Sequence, residues 1–202
     1  IHALRYNMNL TMILHDNQVY GLTKKQASPT SPRGLKSNTT PRGTCLEALN
    51  PLTVTLGVQN VSFVAQTVDW MPDHVYEILR AAFHHKGFSF VRVIQRCPEF
   101  LPKMFEPWLH DPQKTLLLTH ENGLAVSPEI GRIYRNQLAH DPSDIDRARE
   151  IASQEDPIPV GILYRNPDVP CYEEIRNAGQ LRTPEMICAG LESELDKFTV
   201  WP

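Results

Sequence analysis

The chain has 202 residues, a formal net charge of −3 at pH 7, and 41% hydrophobic and 21% charged residues. This length allows a hydrophobic core in one domain, or in one domain with an extension. No strongly basic balance indicates nucleic-acid binding, and no apolar run reaches the roughly 18 to 20 residues of a membrane span. We therefore expect a soluble globular protein with neither a nucleic-acid nor a membrane partner.

The first residues read as a helix that is entered partway. Ile1, Leu4 and Met8 follow helical spacing, and neither a capping residue nor an initiator methionine precedes them. From this we expect an N-terminal part of the protein to be missing from the sequence. The next run, Leu10–His15, is short and mostly apolar, which predicts a buried β-strand.

Two further apolar runs, Val61–Gln66 and Phe88–Ile94, are rich in Val and Phe and predict two more strands. Between them, residues 71–87 carry apolar positions at helical spacing, with a proline in the first turn and a glycine at the end. A helix between two such strands forms a βαβ unit. The predicted fold class is therefore α/β, a parallel sheet with helices on its faces.

From about residue 109 the sequence changes character. Residues 127–157 are charged and predict helices, Ile158–Asn166 predicts one strand, and residues 184–198 predict a last helix. We therefore divide the chain into a core portion, residues 1–108, and an extension, residues 109–202. The extension is predicted to be mainly helical and to pack on the core or on a partner subunit.

The four cysteines are Cys45, Cys97, Cys171 and Cys188. They are widely spaced and form no CxxC pair, so neither a zinc site nor a disulfide framework is indicated. By themselves they are typical of reduced thiols in a cytoplasmic protein.

The stretch "HDNQVYGLTKKQASPTSPRG", residues 15–34, leaves the carboxyl end of the first predicted strand. No acidic residue occurs between Asp16 and Glu47, whereas this interval contains five basic ones. Ligands of α/β sheets bind beyond the carboxyl ends of strands. Composition alone leaves a solvated connection open, but a structureless stretch of this length in a compact domain favours a functional loop. The expected ligand is an anion.

The start of this loop is suited to a magnesium ion and a phosphate group. Asn17 brings a side-chain oxygen where the strand ends, Gly21 allows close approach of the backbone, and Thr23 adds a small hydroxyl. Mg²⁺ prefers hard oxygen ligands and usually shares them with phosphates. The amide oxygen and a nearby backbone carbonyl are candidate ligands.

The stretch "NMNLTMILHDNQVYGLTKKQASPTSPRG" resembles the thiamine-diphosphate-binding β subunit of the 2-oxoacid:ferredoxin oxidoreductases. In that family a strand precedes "DNxxYGxT" and then a "GQxSPT"-like loop, with glycine frequent where this chain has Lys25. "VIQRCPEF" and "IPVGILYRNPDVPCYEE" continue the resemblance. It implies a thiamine-diphosphate-binding fold, with residues 1–108 as the C-terminal portion of that domain.

The resemblance also implies site residues. Asn17 matches the side-chain ligand of the Mg²⁺ that bridges the diphosphate, and Val19 matches a backbone carbonyl ligand. The family's other metal ligand, the Asp of a "GDG" motif, is expected upstream of this chain. The implied cofactor-binding positions are Asn17, Val19, Tyr20, Gly21, Leu22 and Thr23. Cys97 resembles the last ligand of a [4Fe–4S] cluster whose other three ligands lie outside this chain, while the remaining cysteines match no ligand.

The implied reaction is the oxidative decarboxylation of a 2-oxo acid to acyl-CoA and CO₂ with reduction of ferredoxin, or the reverse carboxylation. The implied partners are ferredoxin and an α subunit in an αβ hetero-oligomer. The α chain is expected to carry the activating glutamate, so no catalytic residue is assigned in this chain.

Two positions bear on the substrate. Pyruvate-specific relatives tend to have Asn at the position of Leu22 and "TGGQ" in place of "TKKQ". An apolar Leu22 and a cationic Lys24 favour a longer acid with a second carboxylate, which is 2-oxoglutarate. A non-oxidative thiamine-diphosphate decarboxylase or ligase stays open as an alternative, as does a non-catalytic subunit that binds a partner.

Overall fold

The computed structural model describes residues 1–178 and 183–199. The chain forms two compact units, Ile1–Tyr172 and Glu173–Pro202. Among the described residues, no helix combines the length and the apolar character that crossing a membrane requires.

Eight strands and eight α-helices are described. The strands are β1 (Leu10–Asp16), β2 (Val19–Tyr20), β3 (Gln26–Ala27), β4 (Phe63–Val68), β5 (Phe88–Ile94), β6 (Thr115–Thr119), β7 (Gln137–Ala139) and β8 (Ile158–Arg165). The α-helices are α1 (His2–Arg5), α2 (Pro51–Leu56), α3 (Pro72–His84), α4 (Glu106–Leu109), α5 (Pro128–Ile133), α6 (Ile145–Ala152), α7 (Tyr172–Asn177) and α8 (Pro184–Asp196). A 3₁₀ turn, Pro112–Lys114, precedes β6.

Six strands form one sheet in the order β1-β5-β4-β8-β6-β7. Within this sheet the described pair β4–β8 is antiparallel and the other pairs are parallel. The predicted βαβ unit is confirmed as β4–α3–β5, and the buried face of α3, which includes Ile78 and Ala82, packs against these two strands. Asp16 pairs with Ile94, and Ile94 pairs with Val68. The carboxyl ends of β1, β5 and β4 therefore meet at one edge of the sheet.

The first strand is more exposed than its sequence predicts. Every residue of β4 is buried, whereas Leu10, Met12 and Ile13 of β1 are 40%, 46% and 42% exposed. The reason is position: β1 is an edge strand with β5 on one side, and no other described strand lies on its second side. The prediction of a strand is confirmed, and the prediction that it is buried is wrong for the described residues.

The sheet continues past residue 108. Strands β6, β7 and β8 all follow that residue and belong to the same unit as β1, β4 and β5. The sequence predicted β8 but not β6, and β7 lies inside the segment predicted to be helical. The boundary at residue 108 stays a prediction about domain organisation, while the sheet itself runs across it. Helices α5 and α6 and the second unit's α8 account for the helical character of the extension.

Gly87 ends the turn between α3 and β5 for a steric reason. Its φ is +121°, and a Cβ built there would lie 2.5 Å from Oδ1 of Asn7. The side chain of Asn7 is fixed in that place because its oxygen accepts hydrogen bonds from the Phe88 amide and the Ser62 hydroxyl. Only glycine combines this backbone with this contact.

Candidate active site

The candidate site begins at Asp16, the last residue of β1, which is 4% exposed. One carboxylate oxygen, Oδ2, accepts hydrogen bonds from Nε and Nη2 of Arg92 at 2.9 and 2.6 Å. The other, Oδ1, accepts from the Gln18 amide at 3.1 Å and from the Thr30 hydroxyl at 2.6 Å. The carboxylate therefore joins β1, β5 and two points of the loop.

Asn17 and Val19, the predicted metal ligands, lie directly after Asp16. Oδ1 of Asn17 accepts a hydrogen bond from the Val19 amide at 3.1 Å. Between them Gln18 takes a left-handed backbone, with φ of 60°, and its carbonyl accepts a bond of 2.6 Å from the Ser31 hydroxyl. Residues 17–19 thus form a tight turn that is held by hydrogen bonds of the Asn17 and Ser31 side chains.

The donor set suits Mg²⁺ in kind. An amide oxygen and a backbone carbonyl are hard ligands, and Mg²⁺ commonly takes only one or two protein ligands beside phosphate and water. Among the described residues, no group of three or more His, Cys, Asp or Glu side chains lies together as a metal site. Asn17 and Val19 are therefore compatible with a magnesium ion that a diphosphate also holds.

The next residues form a hairpin. Strands β2 and β3 pair Val19 with Ala27 and Tyr20 with Gln26. In the connecting turn, Lys24 and Lys25 have φ values of 62° and 68°. Left-handed backbone is the conformation that glycine adopts without strain. This chain forms the turn with two lysines.

The tip of the hairpin is on the surface. Leu22 is 99% exposed, Tyr20 is half-exposed, and Thr23 and Lys24 are exposed. Asn38 supports the base of the turn, since its amide donates to the Lys25 carbonyl at 3.1 Å and its side chain donates to the Lys24 carbonyl. No described cavity encloses Leu22 or Lys24. The two predicted substrate residues, which are two positions apart, therefore face no described pocket of this chain.

Cys97 lies beside the hairpin although 76 residues separate it from Gly21 in sequence. It is buried, and a Cβ built on Gly21 would lie 3.9 Å from Sγ of Cys97 and 4.0 Å from Nδ2 of Asn17. The residue before it is anchored, because Asp69 accepts bonds from the Arg96 amide and from Arg96 Nε, both at 3.0 Å. The structure thus brings the predicted cluster ligand, the glycine turn and the predicted metal ligand together.

A cavity of about 360 Å³ lies against the start of the loop. Its walls are mainly apolar, and Asp16, Asn17, Ser28 and Thr30 supply polar groups on one side. The apolar wall includes Met12, Leu14, Leu49, Val54, Phe88 and Phe90. Apolar walls with a few polar groups are typical of small-molecule sites.

Sequence reasoning missed three residues of the site: Arg92, Thr30 and Ser31. Arg92 had a visible signal, since it is the only charged residue in the apolar run Phe88–Ile94. A charge inside a buried strand requires a partner. Thr30 and Ser31 had no such signal among the many hydroxyl residues of the loop.

Comparison with known proteins supports the resemblance that the sequence shows. The family model "Thiamine pyrophosphate enzyme, C-terminal TPP binding domain" matches residues 1–93, and a model for the C-terminal part of the pyruvate ferredoxin oxidoreductase beta chain matches residues 130–179. The 2-oxoacid:ferredoxin oxidoreductase subunit beta of Sulfolobus sp. is 35% identical over 176 residues, which are 86% of this chain and 54% of that protein. Over most of its length the chain is therefore similar to 2-oxoacid:ferredoxin oxidoreductase β subunits. The predicted resemblance and fold class are therefore confirmed.

Two other similar proteins are named for 2-oxoglutarate. The 2-oxoglutarate oxidoreductase subunit KorB of Mycobacterium tuberculosis is 42% identical over 106 residues, 52% of this chain and 28% of that protein. A solved 2-oxoglutarate:ferredoxin oxidoreductase from Magnetococcus marinus, with 2-oxoglutarate, coenzyme A and succinyl-CoA bound, matches with a TM-score of 0.69 and 28% identity. That match covers 94% of this chain and 60% of the other. The chain spans about half the length of the Sulfolobus β subunit.

Proposed function

We propose that this chain is the thiamine-diphosphate-binding part of the β subunit of a 2-oxoglutarate:ferredoxin oxidoreductase. The reaction is the oxidative decarboxylation of a 2-oxo acid to acyl-CoA and CO₂ with reduction of ferredoxin, or its reverse. The observation that carries the proposal is the meeting of Asn17, Gly21 and Cys97 beyond the carboxyl ends of β1 and β5. Neighbouring cofactor and cluster ligands are what electron transfer out of a thiamine site requires.

In this proposal the chain's own residues hold and place the cofactors. Asn17 Oδ1 and the Val19 carbonyl hold Mg²⁺, and the lack of a side chain on Gly21 leaves space for the diphosphate beside the hairpin. Tyr20, Leu22 and Thr23 lie along the bound cofactor in this proposal. When bound, thiamine diphosphate supplies the electron sink for loss of CO₂.

Cys97 serves as one thiolate ligand of a [4Fe–4S] cluster, with the other three ligands outside this chain. Its burial suits a cluster site, since exclusion of water tunes the reduction potential. Coenzyme A is the acyl acceptor. The match to a thiamine pyrophosphate binding domain supports thiamine diphosphate, and the Magnetococcus marinus structure with 2-oxoglutarate and coenzyme A bound supports the substrate and the acyl acceptor.

An α subunit and ferredoxin are the proposed partners, in a cytoplasmic αβ hetero-oligomer. The exposed tip of the hairpin supports this proposal, because Leu22 and Lys24 can select a substrate only where a second surface closes the site over them. The α chain would also carry the activating glutamate. The comparisons fit this oxidoreductase and not the non-oxidative decarboxylase or ligase that the sequence left open.

Substrate choice is tested on the purified αβ complex with ferredoxin and coenzyme A, by measuring turnover of 2-oxoglutarate and pyruvate. We expect 2-oxoglutarate to be preferred. Lys24→Ala should raise KM for 2-oxoglutarate about tenfold or more, the loss of one charge-assisted bond of about 1.5–3 kcal/mol.

The matched control is Lys25→Ala, which removes a neighbouring lysine with the same left-handed backbone. It should leave KM for 2-oxoglutarate within about twofold. Preference for pyruvate, or an unchanged KM in Lys24→Ala, would show that the substrate assignment is wrong.

A further inference from the structure

We propose that Arg92, acting through Asp16, is a positioning residue for the Mg²⁺ and diphosphate half of the site. This inference rests on the function proposed above and adds to it a residue on a neighbouring strand, whose side chain contacts neither of the predicted metal ligands.

Arg92 belongs to a chain of side-chain hydrogen bonds that crosses four adjacent strands. Gln66 on β4 donates from Nε2 to the Pro159 carbonyl on β8 at 2.7 Å. Arg92 on β5 donates from Nη1 to Oε1 of Gln66 at 3.1 Å and forms its two-pronged contact with Asp16 on β1. Gln66 and Asp16 are buried, and the Arg92 side chain is 13% exposed. The sheet therefore fixes where the Asp16 carboxylate lies.

The carboxylate in turn fixes the loop. Its second oxygen accepts hydrogen bonds from the Gln18 amide and the Thr30 hydroxyl, so Asn17 lies between two residues, Asp16 and Gln18, that are bonded to each other. The Gln18 carbonyl is held separately by Ser31. Asn17 and Val19 are thus the residues on either side of a clamped, left-handed Gln18. A shift of the carboxylate would displace both predicted metal ligands together.

Arg92 also controls the charge beside the metal. Asp16 is the carboxylate next to Asn17, and a free carboxylate is a strong ligand for divalent cations. With Oδ2 bound to the guanidinium and Oδ1 bound to two donors, both oxygens of Asp16 are already engaged within this chain and its charge is paired with that of Arg92. Arg92 therefore leaves Asn17 and Val19 as this chain's ligands.

The alternative is that the ion pair merely stabilises the core. Buried ion pairs contribute little net stability and can often be replaced by apolar residues of similar volume. Arg92→Met is such a replacement: it keeps volume, removes the charge and frees Asp16. The two roles then differ in cation preference, because selectivity between Mg²⁺ and Ca²⁺ depends on ligand number and rigidity.

The experiment uses the purified αβ complex freed of cofactor. Thiamine diphosphate affinity is measured by titration with Mg²⁺ and again with Ca²⁺, and Tm is measured without cofactor. We expect Arg92→Met to weaken Mg²⁺-dependent binding by about 10- to 100-fold, the usual effect of losing a partner behind a metal ligand. The ratio of Mg²⁺- to Ca²⁺-supported affinity should fall several-fold. Arg92→Lys, which keeps the charge, should recover part of both.

Two controls sharpen the result. Asp16→Asn should weaken binding without the shift toward Ca²⁺, since it adds no carboxylate. Arg149→Met removes another arginine of the same unit, one that donates to the Leu56 carbonyl at 3.2 Å, and should leave affinity and cation ratio unchanged. If Arg92→Met fails to assemble, Arg92→Lys decides: we expect it to show smaller shifts of affinity and cation ratio in the same direction, at a normal Tm.

The inference is wrong if the Arg92 variants bind thiamine diphosphate with the affinity and cation ratio of the unmodified complex, or if Arg149→Met changes them equally. A different result tests the underlying function: an unmodified complex that does not bind thiamine diphosphate with Mg²⁺ would overturn the proposed function and this inference together.

Discussion

The loop after β1 has two parts of opposite character. Residues 16–19 are partly or fully buried and bonded to β5 and to Thr30 and Ser31, whereas residues 21–25 form a turn whose tip is almost wholly exposed. The first part is preformed by this chain's own contacts. The second has its backbone in place but no surface opposite its side chains in the described chain. If the proposed function is correct, the proposed metal ligands need only this chain to be in place, whereas the proposed substrate residues also need the partner subunit.

The largest expected effect is on the preformed part. Asn17→Ala removes the proposed side-chain ligand and should weaken thiamine diphosphate binding in the presence of Mg²⁺ by more than about 100-fold, since loss of an outer partner alone costs about 10- to 100-fold. Calorimetric titration of the αβ complex measures this. Asn38→Ala, in the support of the exposed turn, is the control and should have the smaller effect. If Asn17→Ala and Asn38→Ala weakened thiamine diphosphate binding equally, the proposed difference between residues 16–19 and residues 21–25 would be wrong.

A smaller effect concerns the free energy of unfolding, and it arises at His74 on α3, away from the loop. Burial lowers the pKa of His74 from 6.5 to about 4. Because the folded pKa is the lower one, the unfolded chain binds a proton first, and stability present above pH 6.5 is lost as the pH falls toward 4. We expect the free energy of unfolding to be about 2 kcal/mol lower near pH 5 than near pH 7 from this residue.

Chemical denaturation across this pH range measures the change. Nδ1 of His74 and the Thr67 hydroxyl share a hydrogen bond of 2.8 Å, which an Asn side chain can also form. His74→Asn should flatten the pH dependence, while His15→Asn, at an exposed position of β1, should retain it. His85 contributes in the same direction, since burial and then the Arg165 guanidinium lower its pKa to about 4. A slope unchanged in His74→Asn would contradict this assignment.

The smallest expected effect is at the exposed tip. Leu22→Asn should change the free energy of unfolding by no more than about 0.5 kcal/mol, because a side chain that is 99% exposed loses no packing. In the αβ complex the same variant should shift preference toward pyruvate. Thermal unfolding and competition between the two acids measure the two outcomes. A large loss of stability would mean that Leu22 has a packing role within this chain.

The sequence by itself determined the elements that are encoded locally. The βαβ unit follows from apolar periodicity over residues 61–94. The prediction of Asn17 and Val19 as metal ligands comes from the resemblance of a short strand-and-loop motif and stays a prediction. Such patterns can be read from the sequence because they involve only residues that are close together along the chain. The strands β6 and β7 were missed because each is short, and β7 lies in a charged stretch whose composition predicts helix.

Tertiary structure alone decided which distant residues meet. Arg92 binds Asp16, and Cys97 approaches Gly21, only because β5 pairs in parallel with β1 and brings their carboxyl ends together. The sequence showed an arginine in an apolar strand but not its partner. Strand order also set the exposure of β1, since the same apolar residues are buried in the centre of a sheet and exposed at its edge. Pairing is a property of the whole fold, and no local pattern contains it.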